Sequence, residues 1–334
     1  MRILSGVQSS GNLHIGNYYG AVRQFVLLQE GNECLYFIAN LHALTTVRDN
    51  TLMRQLTRDV ALAYLALGVD PARSTLFQQS DVPEITELYW ILGTVVPLSN
   101  LERAHSYKDK VAQGVSPDFG LFAYPVLMAV DILLYGADRV PVGKDQVQHI
   151  EFARDWATKL NITYVKGYDP KDPLGKHGSP AGLLKLPEVL VQAEVATIPG
   201  TDGKKMSKSY NNTLDVFGDE KDIKKRIMGI KTDSTPVDAP KPTDNPLYAL
   251  LKVMAPPGEF DAVAAGWIAG GKGYGDYKKL LLEYFHQSFG PARLRYQELA
   301  REPREVDQIL KQGALKAREY AQPVIQAVRR AVGL

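Results

Sequence analysis

Three stretches of the 334-residue chain carry residue types that could do chemistry together. SGVQSSGNLHIGNYYG (5–20) places glycines between a short apolar run and a helical pattern. Such a strand-to-helix junction offers backbone N–H groups and the positive end of a helix dipole to a phosphate. Gly6, Gly11 and Gly16 leave room for close backbone approach. It is not a Walker loop, because GxxxxGK[ST] occurs nowhere in the chain. An ordinary strand–helix turn has the same spacing, and His14 alone could simply cap the helix. PGTDGKKMSKSYNN (199–212) sets Lys204, Lys205 and Lys208 among turn-forming residues. Lysines on a mobile loop can close over a polyphosphate and neutralise charge developing on a leaving group; a solvated basic loop has the same composition. LFAYPVLMAVDILLYGA (121–137) holds one charged side chain, Asp131. An ionised carboxylate is almost never fully buried unless paired. Arg103, Arg139 or a backbone N–H would satisfy it structurally; a ligand N–H would do so functionally.

The surrounding pattern says which elements must position these residues. RILSG reads as a first strand ending at Gly6, CLYFIAN (34–40) as a buried strand and STLFQQS (74–80) as another. Between them Tyr18, Val22, Phe25 and Leu28 repeat at helical spacing, and TLMRQLTRDVALAYLALG (51–68) reads as an amphipathic helix stopped by Gly68. Alternating strands and helices predict an α/β fold, a Rossmann-like doubly wound parallel sheet. Ligands bind at the carboxyl ends of such strands, which puts loop 6–13 at the site. Pro125 is expected to open a helix, with Met128, Asp131, Ile132 and Tyr135 on one face. Residues 166–187, rich in Gly, Pro and charge, read as an exposed loop. After residue 213 the pattern is helical to the end, so a helical C-terminal domain is expected over 213–334 beside a catalytic domain over 1–212. GGKGYG (270–275) follows no strand and reads as an interhelical turn.

Composition sets the bounds. The chain is 45% hydrophobic and 23% charged with a net charge of +2, an ordinary globular balance. Lys and Arg against Asp and Glu number 20 against 21 in residues 1–212 and 19 against 16 in 213–334. Charge therefore permits a nucleic-acid partner without requiring one. Cys34 is the sole cysteine, which rules out an intrachain disulfide and any cysteine zinc cluster, and suits a reducing cytoplasm. MRILSGVQSS lacks the apolar core of a signal peptide, and VALAYLALGV (60–69) falls short of the ~18–20 residues a membrane span needs. A cytoplasmic protein without a membrane partner is expected.

Taken together, the glycine and lysine segments resemble the two signatures of the class I aminoacyl-tRNA synthetases. The HIGH motif stands as HIGN at 14–17, and KMSKS stands unchanged at 205–209, within an expected loop 203–210. The resemblance continues through NLHALTT (40–46), ERAHSYKDK (102–110), AYPVLMAVDILLY (123–135), PVGKDQVQHIE (141–151) and TDSTP (232–236). In order and over most of the chain these are similar to the tryptophanyl-tRNA synthetases. The motifs concentrate in residues 1–235; the tail fits the family's tRNA anticodon-binding domain by architecture.

The resemblance implies roles. Asp131 would take the indole N–H, Tyr124 and Gln146 would hold the amino group, and Met128, His42, Val140 and Val142 would line the ring pocket. The bare chemistry agrees, since indole is a large apolar body with one donor. His14 and Asn17 would contact the ATP phosphates, with Gly16 giving room. Gln8, Ser9, Ser10 and Val195 would line the ATP site, and Gly143, Lys144 and Asp145 its ribose side. Lys205 and Lys208 would hold the leaving pyrophosphate, aided by Mg²⁺ and without a protein metal site, and Met206, Ser207 and Ser209 of the same loop would belong to the ATP site. His149 and Glu151 read as a structural pair. Tryptophan, ATP and tRNA(Trp) are the implied partners, with a homodimer whose interface uses an inserted segment at about 80–120, including the apolar run LYWILGTVVPLSNLE (88–102).

Two departures stand out. The family usually has Pro where Ser9 stands, and loop 166–187 is longer than the family pattern. A proline there would restrict the loop by ~0.4–1 kcal/mol, so Ser9→Pro is expected to change ATP binding modestly. Two other readings stay open on the sequence: tyrosine activation by the sister enzyme, against which stand KMSKS and the ILLY after Asp131, and a synthetase-like chain kept for binding or regulation.

Overall fold

A computed structural model describes residues 1–8, 11–104, 118–191 and 198–334, with only the backbone of Asp145. Ser9, Ser10 and Val195, and most of ERAHSYKDK, lie outside the described residues. Five strands form one parallel sheet: β1 Arg2–Val7, β2 Glu33–Ile38, β3 Ser74–Gln78, β4 Arg139–Val142 and β5 Glu188–Val191, in the order β3-β2-β1-β4-β5. This is the expected doubly wound arrangement, with its reversal of order between β1 and β4. β2 is almost wholly buried because both faces are covered. Cys34, Tyr36 and Ile38 join the core on one face, and Leu35 and Phe37 the core on the other.

Helices cover both faces. After β1 come α1 Ile15–Asn17, a π-helical turn Tyr18–Val22 and α2 Arg23–Leu28. Then follow α3 Asn40–Ala43, α4 Asn50–Ala66, α5 Glu84–Gly93, α6 Leu98–Glu102, α7 Phe119–Leu133 and α8 Val147–Tyr164. α7 opens at Phe119 rather than at Pro125, because the Asp118 carboxylate caps it by accepting from the Leu121 N–H at 2.7 Å. Pro125 lies inside the helix, so Leu121 loses its usual helical donor there. About half of the residues in loop 166–187 are exposed, and the loop is pinned from within. Buried Asp172 accepts from the Lys176 and His177 N–H groups and the Ser179 hydroxyl at 2.7–2.8 Å.

Among the described residues beyond 213 all regular structure is helical: α9 Glu220–Met228, α10 Pro246–Met254, α11 Phe260–Ala269, α12 Tyr274–Arg301 and α13 Pro303–Val332. The turn between α11 and α12 is GGKG (270–273), and Tyr274 and Gly275 already open α12. The hydrophobic core does not break at residue 212. One cluster runs from Tyr19 and Phe25 to Trp267, Phe285 and Phe289, and the other takes in Ala314, Ala317, Ala321 and Ile325 of α13. α13 returns to the sheet and covers edge strand β3, the strand edge that would otherwise pair with another chain. The approach demands Gly313, since a Cβ there would sit 1.8 Å from the Leu76 carbonyl oxygen. Arg318 then meets buried Glu84 through Nε at 2.9 Å and Nη2 at 2.8 Å.

Candidate active site

The carboxyl ends of β1 and β4 open on a cavity of about 480 Å³. β1 supplies Leu4, Ser5 and Gly6; β4 supplies Val140, Pro141 and Val142; α7 supplies Tyr124, Met128, Asp131 and Ile132; α3 supplies His42. The π-helical turn aims Gly20 and Ala21 at the same space, a local irregularity of the kind common at functional sites. The lining is apolar with a few convergent polar groups, as small-molecule sites usually are. Of the expected face on α7, Met128, Asp131 and Ile132 line the cavity. Tyr135 does not: it is buried against Phe77, ring centroids 5.5 Å apart.

Asp131 is 1% exposed, and neither arginine considered for it is its partner. Arg139 pairs with Glu188 at 3.2 Å, and Arg103 bonds Ser99 and Asn100 of its own helix. Instead the Gln79 Nε2 donates to both carboxylate oxygens at 2.8 and 2.9 Å, and His42 Nε2 meets Oδ2 at 3.0 Å. Burial raises the Asp131 carboxyl above the usual range, and these donors oppose that rise. Three contacts leave acceptor capacity on a group whose oxygens offer about four sites. Beside it the Tyr124 hydroxyl meets buried His149 Nε2 at 3.1 Å, while Glu151 is exposed. His149 is thus tied to Tyr124.

The two signature segments meet through backbone. Ile15 N–H donates to Leu214 O, and Val216 N–H to Leu13 O, both at 2.9 Å. His14 is buried and caps α1: its Nδ1 accepts the Asn17 N–H at 3.3 Å, and Asn17 Oδ1 accepts the His14 N–H at 3.1 Å. With Nδ1 accepting, the ring proton sits on Nε2. Burial first, and the Lys208 ammonium second, lower the His14 pKa to about 4 against an opposing pull from Asp215. His14 is therefore a neutral donor at ordinary pH. The Lys208 ammonium lies over Gly11, where a Cβ would be only 3.4 Å from Nζ. The Met206 sulfur closes over Gly16 from the same loop, 3.5 Å from where a Cβ would be.

The lysine loop is a built turn. Buried Asn212 accepts the Ser207 N–H at 2.8 Å and donates to Asp202 Oδ1 at 2.7 Å and Lys205 O at 3.1 Å. Gly200 is required beneath it, since a Cβ there would fall 2.2 Å from Asn212 Nδ2. From α9, Arg226 Nη1 donates to Asn211 O at 3.2 Å, and from α12 Arg293 donates to Val216 O at 2.6 Å and Gly218 O at 2.9 Å. The helical half thus grips the segment that joins the two signatures.

The residues expected at the amino-acid pocket come together: Asp131, Tyr124, Met128, Gln146, His42, Val140 and Val142 all line the cavity. His42 does more than line it, since it also bonds Asp131. The residues expected at the ATP site divide. Gln8 and Gly143 lie on the cavity, while His14, Gly16, Asn17, Met206, Ser207 and Lys208 belong to the signature cluster. Lys144, Lys205 and Ser209 are exposed. The spacing missed Gln79, Asn212, Arg226 and Arg293. For Gln79 a signal existed, polar QQS at the carboxyl end of a buried parallel strand.

Comparison with known proteins places this geometry. The profile described as tRNA synthetases class I (W and Y) matches residues 1–288. A tryptophan--tRNA ligase of Rhodopirellula baltica is 48% identical over 335 residues, covering all of both chains. One from Fusobacterium nucleatum is 44% identical over 333 residues, covering all of this chain and 98% of the other. The crystal structure of tryptophanyl-tRNA synthetase from Campylobacter jejuni, solved with ADP and tryptophan, superposes with a TM-score of 0.91 at 46% identity, all of each chain covered. With HIGN and KMSKS joined at the mouth of the doubly wound sheet, the chain belongs to the tryptophanyl-tRNA synthetases, class I enzymes that ligate an amino acid to tRNA.

Proposed function

We propose that the chain activates L-tryptophan with ATP to tryptophanyl-AMP and pyrophosphate, then transfers tryptophan to the terminal adenosine of tRNA(Trp). The observation that carries this is Asp131, a fully buried carboxylate lining an apolar cavity at the carboxyl ends of β1 and β4. Asp131 accepts the indole N–H; Met128, His42, Val140 and Val142 enclose the ring; Tyr124 and Gln146 hold the amino group. The tryptophan carboxylate attacks the α-phosphorus, the bond to the β-phosphate oxygen breaks, and pyrophosphate leaves. The protein's part is placement and charge stabilisation. His14 donates through Nε2 and Asn17 offers its amide at the helix start. Lys208, and Lys205 once the loop closes, neutralise the departing pyrophosphate. Gln8 and Gly143, with Ser9, Ser10, Lys144, Asp145 and Val195, complete the nucleotide site. Mg²⁺ enters with the polyphosphate as part of the substrate; among the described residues no cluster of His, Cys, Asp or Glu would hold it alone. The terminal ribose hydroxyl then attacks the tryptophanyl carbonyl carbon and AMP leaves.

Residues 213–334 serve as the tRNA anticodon-binding region, and the enzyme works as a cytoplasmic homodimer. Exposed Trp90 (73%), Leu98 (67%) and Phe119 (73%) on α5, α6 and α7 support an interface there. No helix among the described residues is long and apolar enough to cross a membrane. ATP–pyrophosphate exchange with tryptophan, tyrosine and phenylalanine, on wild type and Asp131→Ala, tests the reading. Exchange with tryptophan alone, abolished in the variant, is expected. Exchange with tyrosine would overturn the pocket assignment, and none with any amino acid would overturn the catalytic one.

A further inference from the structure

We propose that Gln79 is a specificity-determining positioning residue, whose amide holds Asp131 as a carboxylate acceptor and so makes the pocket select a ring that carries an N–H. The inference rests on the reading that Asp131 meets the indole. Gln79 does not line the cavity; it stands behind Asp131 at the end of β3 and is 0% exposed. Its orientation follows from its neighbours. Leu41 and His42 present backbone N–H groups to Oε1 at 3.0 and 3.4 Å. An amide nitrogen cannot accept those protons, so the oxygen faces α3 and Nε2 faces Asp131. The end of β3 is fixed in turn by Asn40, whose Nδ2 donates to Ser80 Oγ at 2.8 Å and whose Oδ1 accepts the Ser80 N–H at 3.1 Å.

Gln79 therefore delivers a donor that cannot turn away. A carboxyl this deeply buried tends to take up a proton, and hydrogen bonds to its charged form resist that. The protonated carboxyl keeps a carbonyl acceptor, but its O–H competes for the place where the indole brings its own donor and its acceptor is weaker, so selection for the N–H would fall. His42 supplies only one contact and also forms the pocket wall. Gln79 supplies two and has no such second role.

The test compares tryptophan with β-(benzothiophen-3-yl)alanine, the same ring shape without the N–H, as kcat/KM in ATP–pyrophosphate exchange. The proteins are wild type, Gln79→Met, Asp131→Leu, which removes the acceptor at similar volume, and the double variant. Wild type should favour tryptophan by on the order of 10⁴-fold. Gln79→Met should reduce that preference by roughly 10-fold or more through the tryptophan KM, leaving the ATP KM within about twofold. If Gln79 acts through Asp131, the double variant matches Asp131→Leu alone, because effects on one shared interaction do not add. A preference lost in Asp131→Leu but intact in Gln79→Met overturns the role of Gln79. A preference intact in Asp131→Leu overturns the indole reading itself, and this proposal with it. Should Gln79→Met not fold, Gln79→Asn, which withdraws the same amide by one methylene, is read in the same way.

Discussion

Replacing Asn212 by alanine separates the placing of the KMSKS lysines from the binding of tryptophan. The side chain makes three hydrogen bonds, to Ser207 N, Asp202 Oδ1 and Lys205 O. Hydrogen bonds of this kind contribute ~0.5–1.5 kcal/mol each in net terms. The loop lies at the surface, so water reaches the freed Ser207 N–H and Lys205 carbonyl and restores part of the loss. A local cost of about 1–3 kcal/mol remains, borne by the turn rather than by the core. Since about 1.4 kcal/mol is tenfold in an equilibrium, the share of molecules with Lys208 over the HIGH segment should fall ~5- to 150-fold. In ATP–pyrophosphate exchange the ATP KM rises, the rate constant falls about tenfold or more, and the tryptophan KM stays within about twofold. The melting temperature moves little. Asn212→Asp keeps the acceptor for Ser207 but sets a second carboxylate beside Asp202, and should be no better than alanine. A tryptophan KM rising in step with that for ATP would refute the reasoning, and so would unaltered exchange.

Three other consequences are testable. His14 has a folded pKa near 4, below its ordinary 6.5. The stability gained from keeping it neutral is thus present above about pH 6.5 and lost as pH falls toward 4. A histidine NMR titration should show one ring with a midpoint near 4 that disappears in His14→Asn; the loss of a ring titrating near 6.5 instead would contradict the burial argument. Gly313→Ala sets a methyl 1.8 Å from the Leu76 oxygen, and overpacking of this kind costs ~1–3 kcal/mol. Calorimetry should show a melting temperature lower by roughly 2–10 °C with exchange KM values unchanged, whereas an unmoved melting point would mean α13 does not seat on β3 this closely. Trp90→Glu should convert the homodimer to monomer in sedimentation, and a wild-type monomer would end the dimer proposal.

What was legible follows a physical division. β1, β2 and β3 could be read because strands covered on both faces show as apolar runs, and α4 because a long helix repeats its period often enough to register. β4 and β5 could not. Each has four residues, Pro141 stands inside β4, and β5 follows the Pro- and Gly-rich loop. A proline removes a ladder donor and argues locally against a strand. The opening of α7 differs from the expectation for a similar reason: proline favours a first helical position, but the Asp118 cap starts the helix before Pro125 is reached. The small residues Gly313, Ala314, Ala317 and Ala321 form a close-packing face on α13, but what it packs on is settled only when the helix returns to β3. Asp131 was conspicuous because its local sequence is apolar, whereas Gln79, 52 residues away, was not. A polar residue among polar neighbours becomes informative only when the fold buries it.

The pairing of the two signatures carries the same lesson further. Neither HIGN nor KMSKS is decisive by composition, since one passes for a helix cap and the other for a basic turn. They become one site because residues 13–15 and 214–216 exchange backbone hydrogen bonds, bridging His14 to Asp215. Asp215 is held by the Thr213 hydroxyl at 3.0 Å and the Asn12 amide at 3.4 Å, one contact from each side of the join. Arg226 and Arg293 hold the outer carbonyls of the same segment from helices that belong to the C-terminal half. This segment and the Asn212 turn together fix the backbone on both sides of Lys208. Any motion of α9 and α12 relative to the sheet pulls on carbonyls only a few residues from that lysine. The residues proposed to bind phosphate are thus positioned from both halves of the chain, so the joined signatures point to a reaction that either alone leaves open.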